Sequence, residues 1–258
     1  MKIHIIGGGN LGSAIAKGIA EFTNHKVLIT RRNVDKIHHL QSEKIHVSNN
    51  NLEKIEEADL IIVAIKPHQT NALLEIIAPF CEGKIIASAV SGFPLESLHL
   101  ALPNSQEIVR IMPNIAVEFG ESATCIASER IQTSNLLLVK DLFNAMGNSV
   151  IIDEKLMDAA TVLGACGTAY ALRYIRASMQ AGIEIGFDAE TALAIAAQTA
   201  KGAAKMALIE KTHPEQLIDR VTTPQGCTIV GLNEMEHQGF SSALIRGIKT
   251  SLQKIKNG

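Results

Sequence analysis

A chain of 258 residues, 47% hydrophobic and 19% charged with a formal net charge of -2, can bury one large core or two modest ones and has no electrostatic bias toward nucleic acid or anionic membrane. Tryptophan is absent and aromatics make up 3%, which argues against base-stacking platforms. Cys81, Cys125, Cys166 and Cys227 are scattered without a CxxC pair, so neither a metal site nor a disulfide framework is expected, and a reducing cytoplasm is.

The chain opens on Met-Lys-Ile-His-Ile-Ile, an apolar stretch too short for a signal sequence. No segment reaches the roughly eighteen uncharged apolar residues of a membrane span, and no membrane association is expected. Up to residue 153, apolar β-branched runs at 3–6, 26–29, 60–64, 84–87, 108–111 and 150–152 alternate with amphipathic stretches. That alternation reads as βαβ units in a Rossmann-type, doubly wound, mostly parallel sheet.

The first run leads into Ile6-Gly7-Gly8-Gly9-Asn10-Leu11-Gly12, a G-x-G-x-x-G at the end of a strand and the start of a helix. Gly7 makes the tight turn, Gly9 lets a pyrophosphate approach the backbone, and Gly12 lets the helix pack closely on the sheet. The helix N-terminus then offers its unpaired N–H groups to the phosphates. A glycine-rich turn can also be a plain connection, but the flanking strands fit a dinucleotide site.

The second strand ends at Thr30-Arg31-Arg32-Asn33, where an NAD-selective site would place an acidic residue for the ribose 2′-hydroxyl. Two guanidiniums suit a 2′-phosphate instead, so NADPH is the expected cofactor, with NADH also admissible. Farther on, Ala64, Ile65, Lys66 and Pro67 follow a buried strand at its carboxyl end, where open α/β sheets bind ligands. The small residues after 84–87, with Ala89, Val90 and Ser91 among them, would let a nicotinamide or ribose lie near the backbone.

From residue 154 to 258 the pattern turns to long Ala-, Leu- and Ile-rich runs of helical period. The stretches 170–185 and 191–208 are apolar or small over most of their circumference, so they should be buried on several sides. About a hundred residues can hardly wrap both, which favours a homodimer or larger assembly over a compact monomeric bundle. Thr223 followed by Pro224 reads as a helix start, a capping hydroxyl and then Pro at the first helical position. Its backbone amides, reaching Gly226 and Cys227, could hold a carboxylate, with Thr228 one turn in. A Thr-Pro start can equally be a cap and nothing more. His213 and His237 read as solvated helix ends, and Cys166 and Cys227 as small fillers.

With these residues in view, the chain resembles the pyrroline-5-carboxylate reductase family over essentially its whole length. The resemblance rests on the glycine loop, Ala64-Ile65-Lys66-Pro67, Val109-Arg110-Ile111-Met112-Pro113-Asn114, Gln198-Thr199-Ala200-Lys201-Gly202-Ala203-Ala204 and Val221-Thr222-Thr223-Pro224-Gln225-Gly226-Cys227-Thr228-Ile229. It implies a Rossmann domain followed by a helical dimerisation domain, and NAD(P)H reduction of 1-pyrroline-5-carboxylate to L-proline, the last step of proline biosynthesis. It also implies cofactor contacts at Asn51, at Ala64, Ile65, Lys66 and Pro67, and at Ala89, Val90 and Ser91. Substrate contacts would fall at Thr223, Gly226, Cys227 and Thr228, with Thr228 the catalytic partner of the ring nitrogen.

Two stretches depart from the family pattern. Gly164-Ala165-Cys166-Gly167-Thr168-Ala169-Tyr170 stands for the usual Ser-Gly-Ser-Gly-Pro-Ala-Tyr, and Thr223-Pro224-Gln225-Gly226 for Ser-Pro-Gly-Gly. Lys211, next to Glu210, occupies a position where some members place a substrate-proximal glutamate. Two alternatives share the architecture: a β-hydroxyacid-type dehydrogenase and a non-catalytic NADP(H)-binding regulatory protein. Reducing a ketone needs a proton from a Lys or His, and 170–185 has neither.

Overall fold

The computed structural model describes residues 1–256. Eight strands, β1 (Lys2–Ile6), β2 (Lys26–Thr30), β3 (Ile45–Ser48), β4 (Leu60–Val63), β5 (Ile85–Ser88), β6 (Ile108–Met112), β7 (Ser122–Ala127) and β8 (Gly147–Ile151), form one sheet in the order β3-β2-β1-β4-β5-β6-β7-β8. Every neighbouring pair is parallel except β6 with β7. The run Leu60-Ile61-Ile62-Val63 is buried throughout, as a central parallel strand covered on both faces requires.

The first four helices are α1 (Asn10–Phe22), α2 (Thr70–Ile77), α3 (Leu95–Ala101) and α4 (Thr133–Asn144). On one face of the sheet, Ile15 and Ile19 of α1 and Leu142 and Phe143 of α4 pack with Ile3, Ile5, Val109 and Ile111. On the other, Leu73 and Leu74 of α2 and Leu95 and Leu98 of α3 pack with Ile61, Val63 and Ile86. Each such side chain contributes roughly 1.5–3 kcal/mol by leaving water.

The chain divides into two compact units, residues 1–168 with 254–256, and Ala169–Gln253. Within the first unit, α5 (Met157–Ala160) runs into a π-helical turn at Thr161–Cys166. The helices that follow are α6 (Gly167–Glu184), α7 (Ala189–Glu210), α8 (Pro214–Arg220), α9 (Cys227–His237) and α10 (Phe240–Lys256). Asp188 caps α7 by accepting from the Thr191 amide at 2.9 Å. The expected burial of these helices is not met within one chain: α6 has no buried residue, α7 buries only Ala192 and Ala196, and Ile185 and Leu208 are exposed.

β3 and β7 do not stand out in the sequence. Ile45-His46-Val47-Ser48 has only two apolar residues, and Ser122-Ala123-Thr124-Cys125-Ile126-Ala127 is made of small ones apart from Ile126. Sheet pairing decides both, not the local pattern. A second surprise is His4, buried in β1 with no hydrogen-bond partner at either ring nitrogen; burial pushes its pKa down to about 4.

Candidate functional site

The glycine loop sits at the carboxyl end of β1. The amides of Gly7 and Gly8 both donate to the Thr30 carbonyl, at 3.1 and 2.8 Å, fixing the loop to the end of β2. Gly7 has φ +116°, and a side chain there would lie 2.3 Å from the Ala64 carbonyl oxygen. A methyl on Gly12 would fall 2.0 Å from the Gly7 carbonyl oxygen, so the close approach of α1 to the loop depends on that glycine. A Cβ on Gly9 meets nothing within 4 Å. Gly9 is the N-cap of α1 without a side-chain cap, and the first turn holds no acidic residue. The open space and the uncapped amides beginning at Asn10 and Leu11 together fit a pyrophosphate.

At the end of β2 the two arginines differ. Arg31 Nη1 donates to the Gly8 carbonyl at 2.7 Å and braces the loop, while Arg32 is exposed and makes no side-chain hydrogen bond among the described residues. Thr30 Oγ1 donates to Asn51 Oδ1 at 2.6 Å, which brings Asn51 beside this strand end. Ala64 and Ile65 are half-buried and Lys66 and Pro67 exposed, directly after β4. After β5, Ala89 and Val90 are buried and Ser91 is exposed. Since β2, β1, β4, β5 and β6 are parallel, all these segments share one edge of the sheet.

The residues just beyond β6 belong to the same edge, and none of them is among the expected site residues. Asn114 is buried: its amide donates to Ser122 Oγ at 3.1 Å and its Oδ1 accepts from the Ala116 amide at 3.0 Å. Its Nδ2 donates to the Gly164 carbonyl at 3.2 Å, inside the π-helical turn. Earlier in β6, Arg110 is 4% exposed and pairs through Nη1 with Glu154 Oε1 at 3.0 Å. The same carboxylate oxygen accepts from the Leu95 amide at 2.6 Å. Arg110 Nη2 is buried without a partner. A lone Arg in an apolar strand was the available signal for the ion pair; Asn114 and Gly164 each stood in a stretch compared with the family, but nothing in the sequence paired them.

In the helical half, the helix start falls later than expected. Thr223 does not cap a helix; α9 begins at Cys227 with Gly226 as N-cap. Thr223 to Gly226 form a tight turn, closed by the Gly226 amide donating to the Thr223 carbonyl at 2.9 Å, with Pro224 second and Gln225 third at φ 59°. Proline followed by a positive-φ residue builds this turn in place of the first helical residues. The Gly226 amide is thus engaged and not free for a carboxylate; the first-turn amides begin at Cys227 and Thr228. Thr228 lies in that first turn, not one turn in, and its exposed hydroxyl makes no hydrogen bond among the described residues. Glu210 is held by an ion pair with Arg220, and Lys211 ends α7 at φ 51°.

A family model described as "Pyrroline-5-carboxylate reductase dimerisation" matches residues 154–257, and one described as "NADP oxidoreductase coenzyme F420-dependent" matches residues 2–92. Pyrroline-5-carboxylate reductase 2 of Dictyostelium discoideum is 43% identical over 98% of this chain and 91% of its own length. The chain belongs to the pyrroline-5-carboxylate reductase family. Pyrroline-5-carboxylate reductase 1 of the same organism is 44% identical over 98% of this chain, which spans only 49% of that relative. Among solved structures, the pyrroline carboxylate reductase of Plasmodium falciparum with NADP bound superposes with a TM-score of 0.88 at 28% identity, covering 100% of this chain and 97% of that one. Members of this family are oxidoreductases, and the chain is one in class as well as in fold. No helix among the described residues is long and apolar enough to cross a membrane, and no group of three metal-ligating side chains occurs among them.

Proposed function

We propose that the protein reduces 1-pyrroline-5-carboxylate to L-proline with NADPH, NADH being an alternative donor, as a cytoplasmic homodimer or larger homo-oligomer joined through its C-terminal helices. Residues 1–153 would bind the dinucleotide, and residues 154–258 the substrate and the partner copy. The observation that carries this reading is the 43% identity to pyrroline-5-carboxylate reductase 2 of D. discoideum, which runs through both halves of the chain.

The dinucleotide, when bound, supplies the hydride. The chain would hold it through the amides at the start of α1, with Ile6 and Gly7 to Gly12 forming the loop. Arg32 and the free edge of Arg31 would meet the 2′-phosphate, and Asn51 the neighbouring ribose region. Ala64 to Pro67 and Ala89 to Ser91 would flank the rest of the cofactor. A protonated cyclic imine already carries positive charge beside the carbon that accepts hydride, so positioning and exclusion of water are the enzyme's main tasks. Thr228 Oγ would accept from the imine N–H while the amides at Cys227 and Thr228 hold the carboxylate, with Thr223 and Gly226 shaping the turn before them. Among the residues of α6 there is no Lys or His to protonate an alkoxide, which weighs against a hydroxyacid dehydrogenase.

NADPH consumption measured with and without 1-pyrroline-5-carboxylate tests the reading, and the absence of substrate-dependent consumption would overturn it. Within an active enzyme, Thr228→Ala should lower kcat/KM for the imine ten- to a hundredfold, matching about 1.5–3 kcal/mol, and leave NADPH binding nearly unchanged. Thr228→Ser should recover most of this. The pH profile of Thr228→Ala should stay that of the parent, since the activating proton belongs to the substrate.

A further inference from the structure

We infer that Asn114 is a positioning residue: its side chain fixes the π-helical turn Thr161–Cys166 against the nicotinamide end of the cofactor site, so that hydride transfer depends on it while cofactor affinity does not. The inference rests on the NADPH-dependent reading above.

The order of the sheet sets the argument. The 2′-phosphate end of a dinucleotide belongs at β2, beside Arg31 and Arg32, and its pyrophosphate at the loop between β1 and α1. The molecule would then extend along the same edge past β4, which would bring its reactive ring to the neighbouring ends of β5 and β6. Asn114 lies two residues beyond that strand end.

Its three hydrogen bonds have different destinations. The Ser122 Oγ bond and the Ala116 bond are local, tying the backbone after β6 to β7 and capping a short 3-10 segment, Ile115–Phe119. The Nδ2 bond to the Gly164 carbonyl reaches 50 residues along the chain. A π-helical turn spaces its own hydrogen bonds poorly and is uncommon unless something holds it. Here the buried amide of Asn114 supplies one fixed donor from the sheet side. A second anchor stands at the other end of the segment, where Glu154 is held by Arg110 of β6. Arg110 in β6 and Asn114 just beyond it thus hold the segment 154–164 at both ends. Hydride transfer tolerates little misplacement, since a shift of about 1 Å can cost on the order of a hundredfold in rate. Most cofactor affinity should come from the phosphates at β1 and β2, three and four strands along the edge from β6.

Asn114→Ser keeps an oxygen that can cap the Ala116 amide and removes the reach to Gly164. Asn114→Asp keeps the volume and the cap but sets a carboxylate against the Gly164 carbonyl, and decides the matter if the Ser variant does not fold. In the full-length protein each should lower kcat for imine reduction about ten- to a hundredfold, with the NADPH dissociation constant within about twofold of the parent. Backbone amides of residues 161–168 should exchange with deuterium faster in the variants than in the parent, while those of β1 and β4 should not. Unaltered kcat would overturn the inference. So would unaltered exchange at 161–168, or an NADPH affinity that falls in step with kcat, which marks a merely structural loss. A parent enzyme that does not reduce the imine at all would instead overturn the functional reading on which the inference rests, and with it the inference.

Discussion

Arg31 and Arg32 are adjacent in sequence and distinct in role. Arg31 uses one guanidinium nitrogen on the Gly8 carbonyl and so supports the loop itself, whereas Arg32 is exposed and makes no side-chain hydrogen bond among the described residues. Arg32→Ala should therefore raise KM for NADPH about tenfold more than KM for NADH, and Arg31→Ala should raise both. Steady-state kinetics with each cofactor separates the two. Equal effects of Arg32→Ala on both cofactors would remove it from the 2′-phosphate.

His4 offers a test of stability at the same scale. Its folded pKa is about 4 against an ordinary 6.5, because burial without a partner disfavours the charged ring. Above pH 6.5 both states are neutral at this position and nothing is lost. Below it the unfolded chain binds a proton that the folded chain refuses, so stability falls as pH drops from 6.5 toward 4. The full loss is roughly 3 kcal/mol. Urea titrations should show the stability gap between the parent and His4→Leu shifting in the variant's favour by about that amount between pH 7 and about pH 4. A constant gap would mean that the ring is hydrated in solution.

Among the elements, the turn before α9 carries the clearest local conflict. Gln225 holds φ 59° in a turn whose third position favours glycine. Gln225→Gly should therefore be accepted, with kcat/KM for the imine kept within about twofold, since glycine enters this region without steric cost. Gln225→Val should be costly: a β-branched residue at positive φ adds about 1–2 kcal/mol or more of strain. The expected result is a several-fold rise in KM for the imine at unchanged NADPH affinity. If both variants behave alike, the turn does not shape the substrate site.

Considered as a whole molecule, the chain presents an unfinished surface. Leu172, Ile185, Leu193, Ile195 and Leu208 on and around α6 and α7 are 46–76% exposed, large apolar side chains left open to water on neighbouring helices. Residues 154–257 match a family model described as dimerisation, and on the proposed assembly a second copy would cover that surface. Sedimentation of the full chain at micromolar concentration should give a dimer or larger species. Ile195→Glu should shift it toward monomer while NADPH binding in the first unit survives. A parent that sediments as a stable monomer would sink the assembly.

What the sequence determined by itself was whatever depends on short-range pattern. The glycine loop was legible because Gly7 and Gly12 answer local steric demands, and five of the eight strands were legible because buried parallel strands are nearly continuous apolar runs; β8 showed only through Val150 and Ile151 at its exposed end. The long helices of the second half followed from their period. Tertiary structure decided what depends on partners distant in the chain. β3 is short and β7 is made mostly of small residues, so neither stands out, and the hydrogen bonds offered by neighbouring strands decide them. The helix after Thr223 starts at Cys227 because a turn closes first, consuming the Gly226 amide. The division of labour between Arg31 and Arg32, the burial of His4, and the bond from Asn114 to Gly164 arise only once the sheet has brought separate segments together. Spacing along the chain reports which side chains are available; only folding sets which of them face one another across hydrogen-bonding distance.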